Sequence, residues 1–110
     1  MYKRGEIVLI PVPFSNLSSV KKRPVLIISN ASHNRINSDM IVVAITSNLQ
    51  QKGIVIETKD LVAGELPRTS LIRCDKIYTL EQAIVIKQFG IVSENILKKV
   101  INDINKLITE

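Results

Sequence analysis

Up to residue 92 this chain never sustains an apolar run for longer than a strand needs, and after that it carries a single helical period. Runs of about four to eight apolar residues between turn signals read as strands, whereas a globular helix needs ten or more. Ile7–Pro13, Val25–Ser29, Met40–Thr46, Gly53–Glu57 and Ser70–Tyr78 fit the first description, with two shorter candidates around Ile84–Lys87 and Ile91–Val92. Between them lie a polar loop expected to be mobile at Ser15–Lys22, a loop with room for a short helical turn at Asn30–Ser38, a turn at Gln50–Gly53 and an irregular stretch at Leu61–Pro67. Ile, Val and Leu dominate the runs, which suits strands more than stacking platforms for bases. Ser93 then reads as a helix N-cap with Glu94 in the first turn. Ile96, Leu97, Val100, Ile101, Ile104, Leu107 and Ile108 follow at helical spacing, so the helix is expected to cover the core. The expected fold is mainly β with a C-terminal α-helix, a small and strongly bent barrel formed by one domain over 1–110. An open sheet of this size would leave apolar edges exposed.

The formal charge of +5 is unevenly placed. Residues 1–37 hold six bases (Lys3, Arg4, Lys21, Lys22, Arg23 and Arg35) against Glu6 alone, and the nine bases beyond them are balanced by nine acids. A polyanionic partner is one inference, and a solubility charge is the other. Cys74 is the single cysteine, so no intramolecular disulfide can form and a reducing compartment fits. No apolar run is long enough to span a membrane and no leader pattern opens the chain, so a cytoplasmic location is expected.

Several chemistries drop out. One histidine, His33, cannot support a two-histidine ribonuclease mechanism, and one histidine with one cysteine cannot build a zinc site. The acids are too scattered for a two-metal nuclease. Nucleotide-binding glycine loops are missing. His33 reads as a solvated loop residue and Cys74 as a buried filler. What remains is polar groups at strand ends. Strand alternation puts Arg73 and Asp75 on one face, with Cys74 and Lys76 on the other. Such a pair can flank a phosphate or simply form an exposed ion pair. Arg23 ends the basic run from Lys21 and is held extended by Pro24. It offers a guanidinium fork to phosphate, or is a solvated charge. Thr46, Ser47 and Asn48 close the third strand, as hydrogen-bond donors or as turn formers.

The order of these elements resembles the MazF/PemK toxin family over nearly the whole chain. Gly5-Glu6-Ile7-Val8-Leu9-Ile10 resembles its opening strand. Pro13-Phe14 followed by Lys22-Arg23-Pro24-Val25-Leu26-Ile27-Ile28-Ser29 resembles its first loop and second strand. Ala44-Ile45-Thr46-Ser47 matches the end of its third strand, and Thr69-Ser70-Leu71-Ile72-Arg73-Cys74-Asp75-Lys76-Ile77 with Thr79-Leu80 its later strands. The resemblance implies an SH3-like barrel, a homodimer, and metal-independent, cofactor-free cleavage of single-stranded RNA to 2′,3′-cyclic phosphate and 5′-hydroxyl ends. It also implies an antitoxin whose acidic flexible segment covers the RNA groove. Two family schemes carry over, one through Arg23 and Thr46, the other through Arg73 and Asp75. Together they assign Asp75 as base, Arg73 and Arg23 as stabilisers of phosphorane charge, and Thr46 as a hydrogen-bond donor. Lys21, Lys22, Ser47, Asn48, Ser70 and Lys76 are the expected RNA contacts beside them. Ser15–Lys22 lacks the acid that some family members carry there, which puts the base role on Asp75 or a water. A gyrase inhibitor of the CcdB kind, or an inactive binding module on the same barrel, are the alternatives, and neither needs phosphate chemistry.

Overall fold

The computed structural model describes residues 2–13 and 20–109. Seven strands lie among the described residues: β1 (Glu6–Pro13), β2 (Val20–Ile27), β3 (Asp39–Thr46), β4 (Ile54–Ile56), β5 (Leu61–Gly64), β6 (Ser70–Glu81) and β7 (Lys87–Val92). Two helices accompany them, α1 (Ala31–Ile36) and α2 (Glu94–Ile108). All pairings are antiparallel and join one sheet in the order β4-β6-β3-β2-β1-β7-β5. The two edge strands, β4 and β5, are separated in sequence only by residues 57–60. That link reaches about 17 Å at full stretch. Six strand spacings laid flat would cover about 29 Å. The sheet therefore has to curl, and its strong bend follows from connectivity, with α2 following as the C-terminal helix.

Curling gives the sheet two buried faces, and strand alternation sorts the apolar residues between them. Ile7, Leu26, Val43, Ile45, Ile56, Ile72, Cys74 and Val92 turn inward to meet Ile96, Leu97 and Val100 of α2. Their neighbours of opposite parity, Val8, Ile10, Val25, Ile27, Met40 and Val42, pack on the other face with Tyr2, Val12, Leu80, Ile84 and Val85. The Ser93 hydroxyl accepts the Ile96 N–H at 3.3 Å and caps α2 as expected. Not all of the helix's apolar stripe covers the core: Ile101, Leu107 and Ile108 are exposed.

Several boundaries differ from expectation, among them the end of β2 at Ile27 rather than Ser29 and of β6 at Glu81 rather than Tyr78. Strand β2 starts at Val20, so Lys21 and Lys22 stand on a strand, while residues 15–19 of the expected loop fall outside the described ones. Leu61–Gly64 is a strand rather than irregular chain, because Gly64 pairs with Gly90 and lets two backbones close up. A Cβ on Gly64, whose φ is +85°, would sit 2.1 Å from the Phe89 carbonyl oxygen. Of the two short candidates, Ile91–Val92 lies in β7, whereas Ile84–Lys87 is not a strand of its own: Ile84 ends a 3₁₀ turn at Gln82–Ile84, and β7 begins only at Lys87.

Candidate functional site

The sheet face turned away from α2 opens at one end into a cleft of about 420 Å³, and two local departures from regular pairing make it. The first is at Pro24, which has no N–H to give a neighbouring strand. Pairing of β2 with β3 stops at Val25–Ala44, one residue short of it. Continued, that register would set Arg23 opposite Thr46; instead the strands part there and both side chains border the gap. The second is a bulge in β6. Val43 pairs with Ile77 but Ala44 pairs with Arg73, so Cys74, Asp75 and Lys76 have no partner on β3. A bulge bends its strand and re-aims its side chains. It brings Lys76 into the cleft beside Arg73, although strict alternation expects the two on opposite faces.

Arg73 is held from two sides. Its Nε and Nη2 donate to Asp75 Oδ1 and Oδ2 at 3.1 and 3.0 Å, a bidentate pair, and Nη1 donates to Gln51 Oε1. A guanidinium has five N–H donors, so one on each Nη remains for a ligand. The Asp75 hydrogen bond raises the Arg73 pKa above its ordinary value. In return the Arg73 hydrogen bond holds the Asp75 carboxyl below the usual carboxylate range. Asp75 does not line the cleft itself. It lines a neighbouring hollow with Gln50, Lys52, Asp103 and Lys106, and Arg73 and Gln51 form the wall between the two.

Arg23, Thr46, Arg73 and Lys76 thus meet at one cleft, with Asp75 immediately behind. Thr46 Oγ1 accepts the Asn48 N–H at 3.1 Å, which leaves its own hydrogen available to donate. Lys21, two residues before Arg23, stands on the same side of β2 by alternation, while Lys22 is exposed and of the other parity. Ser47 and Asn48 are exposed just beyond the end of β3 and do not line the cleft. Ser70 is a correction. It is buried, and its hydroxyl donates to the Arg68 carbonyl at 3.1 Å, so it belongs to the barrel wall and does not line the cleft.

Two cleft residues were not legible as site residues in the sequence. Gln51 read only as part of a turn, since its contact with Arg73 spans 22 positions. Tyr78 read only as strand material; an aromatic left 49% exposed in a chain with so few aromatics was the available signal. His33 corrects the loop reading, for it lies in α1 and its Nε2 meets Asp39 Oδ1 at 2.9 Å. Cys74 is the expected buried filler, with its thiol pushed up to about 11, mainly by burial. Among the described residues no cluster of three or more His, Cys, Asp or Glu is placed to hold a metal ion. Nor is any helix there long and apolar enough to cross a membrane.

Solved structures share this fold. An endoribonuclease in complex with its cognate antitoxin from a mycobacterial species is 20% identical, with a TM-score of 0.73 over 96% of this chain and 93% of that one. MazF of Deinococcus radiodurans is 17% identical, with a TM-score of 0.73 over 97% and 96% of the two chains. A MazE–MazF complex from the same organism gives 17% identity and a TM-score of 0.77 over 97% and 95%. At such identities the likeness establishes the fold. No curated protein sequence matches the chain. The family model for the PemK-like, MazF-like toxins of type II toxin–antitoxin systems matches residues 3–108, nearly the full length, and the chain belongs to that family.

Proposed function

We propose that this chain is a toxin that cuts single-stranded RNA without a metal, by attack of a ribose 2′-hydroxyl on the adjacent phosphorus. The observation that carries the reading is the convergence of Arg23, Thr46, Arg73 and Lys76 on one cleft. Three cations and a hydroxyl donor suit a phosphate in flight, because charge grows on its oxygens as the phosphorane forms. Arg23 and Lys76 hold the phosphate, Thr46 donates to a phosphoryl oxygen, and Arg73 stabilises the developing charge with its two remaining N–H groups. Arginine is too weak an acid to protonate the leaving oxygen itself. Asp75 fixes the plane of Arg73 and takes the 2′-hydroxyl proton through a water. A carboxyl held below its usual range is a modest base, and fixing Arg73 is the larger part of its work. The 2′-oxygen bonds to phosphorus as the bond to the 5′-oxygen breaks, and the leaving 5′-oxygen takes its proton from water, which gives a 2′,3′-cyclic phosphate and a 5′-hydroxyl.

Arg73→Ala tests the reading through rate and affinity together. Loss of a preorganised donor to the developing charge should slow cleavage about 100- to 1,000-fold. RNA affinity should change far less, since Arg23 and Lys76 still hold the phosphate. Cleavage at the wild-type rate would remove Arg73 from the mechanism. The cognate partner we propose is an antitoxin whose acidic flexible segment lies in the same cleft and competes with RNA. The assembly we propose is a homodimer, supported by the exposed Ile101, Leu107 and Ile108 along α2. In a monomer these side chains stay in water, whereas a twofold contact covers both copies at once.

A further inference from the structure

The cleft has a second half that phosphate chemistry does not use. Beyond the four polar groups its lining continues through Ile10, Val12, Val25, Leu80 and the ring of Tyr78. Sheet register explains why these side chains share a wall. Val42 pairs with Tyr78 and Met40 with Leu80, and cross-strand partners stand on the same face. Val42 and Met40 belong to the apolar layer away from α2, and so do Ile10 and Val25. Most of that layer is dry, yet Tyr78 keeps 49% of its surface exposed. It stands just after the bulge, five residues from Arg73, and lines the same cleft as that guanidinium.

Resting on the RNA reading above, we propose that Tyr78, with Ile10, Val12 and Leu80 as its apolar surround, forms a nucleobase subsite beside the phosphate-holding end of the cleft. A nucleotide is amphipathic in the same sense as the cleft, with an anionic phosphate at one end and a flat π-surface at the other. The cleft volume of about 420 Å³ falls in the range that takes a small organic ligand. Stacking on a tyrosine tolerates any base, so the subsite supplies affinity and sets the strand's direction across the cations. The other apolar surfaces, such as Val62 on β5, lie outside the cleft and have no phosphate-binding groups in its wall.

The test uses single-stranded RNA with 2′-fluoro sugars, which cannot be cut, and a matching strand whose nucleotides are abasic. Binding is followed by fluorescence anisotropy with wild type, Tyr78→Ala, Tyr78→Phe and Arg23→Ala. Wild type should prefer the base-bearing strand. Tyr78→Ala should reduce that preference about 5- to 150-fold, the usual loss when one aromatic platform is removed. Its binding of the abasic strand should hardly change, and Tyr78→Phe, which keeps the ring, should behave as wild type. Arg23→Ala should weaken both strands alike. An unchanged preference in Tyr78→Ala, with a wild-type melting temperature, overturns the subsite while the phosphate reading stands. Equal binding of the two strands by wild type also overturns it. If Arg23→Ala leaves both affinities intact, the RNA reading of the cleft fails, and the subsite with it.

Discussion

At the scale of single residues, Arg73 is the most constrained group in the cleft, because two partners take three of its donors. Gln51→Ala should free one side of the guanidinium and slow cleavage by about tenfold, a loss typical of one orienting hydrogen bond. Substrate affinity should stay near wild type, and single-turnover kinetics separates the two. Asp75 gives a pH prediction. Its folded pKa is depressed, so its contribution to stability is present above the unfolded carboxyl value and is lost as pH falls through the lower folded one. In Arg73→Ala the main cause of that depression is gone, and the Asp75 carboxyl should titrate higher, back toward the ordinary range, by NMR. Asp75→Asn should suppress cleavage and spare RNA binding; near-wild-type turnover would sink its assigned part. Glu6 runs the other way. Burial raises its pKa, so it costs stability once the pH climbs above the unfolded value, and Glu6→Gln should melt at least as high as wild type at neutral pH. A lower midpoint at neutral pH, matching wild type only in acid, would contradict that sign. The family pattern marks Arg23, Thr46, Arg73 and Asp75 in the sequence, and the first three line the cleft with Asp75 behind Arg73. Gln51 and Tyr78 could not be picked out there, since tertiary register alone brings them to the cleft, and Ser70 shares the parity of Ile72 and Cys74, so the alternation that turns Arg73 to the cleft turns Ser70 into the core.

Secondary elements were most legible where period and capping agree. Ser93 and the spacing of Ile96, Leu97 and Val100 mark α2, and Ser93→Ala should cost about 1 kcal/mol of stability, read from urea unfolding, with RNA binding intact. The strands with clean apolar runs, β1 and β3, were visible for the same reason. Strand β5 was hidden because a glycine usually breaks a strand, whereas Gly64 is there to admit the Phe89–Gly90 backbone. Its replacement by alanine should therefore destabilise by about 1–3 kcal/mol or more, since it combines a strained φ with a clash against backbone. The early start of β2 was hidden by its charge: Lys21 and Lys22 are in register with β1, and among the described strands the β2–β3 register begins only at Val25. Nothing in the residue types of Cys74, Asp75 and Lys76 announces a bulge. It exists because the two halves of β6 are each locked to β3 in registers that differ by three residues.

For the whole molecule, the excess charge of residues 1–37 lies just before β1 at Lys3 and Arg4, on β2 at Lys21, Lys22 and Arg23, and on α1 at Arg35, and it reaches the cleft through Arg23. RNA affinity should therefore fall with salt, and Arg23→Ala should flatten the log–log slope by about 0.7, the share of one phosphate contact on a single strand. An unaltered slope would place Arg23 away from the backbone. Connectivity supplies the rest of the architecture, since a four-residue link between edge strands leaves the sheet no choice but to curl. The curl makes two apolar faces, one closed by α2 and the other ending in the cleft. The central claim is that this cleft cuts RNA with protein groups alone. Its most direct test is to incubate the purified protein with long single-stranded RNAs in EDTA and map the ends produced. The account predicts cuts at a short recurring sequence, with 2′,3′-cyclic phosphate and 5′-hydroxyl ends, slowed about 100- to 1,000-fold by Arg73→Ala. Folded, antitoxin-free protein that leaves RNAs of widely varied sequence intact, or cuts only when a divalent metal is restored, would contradict it.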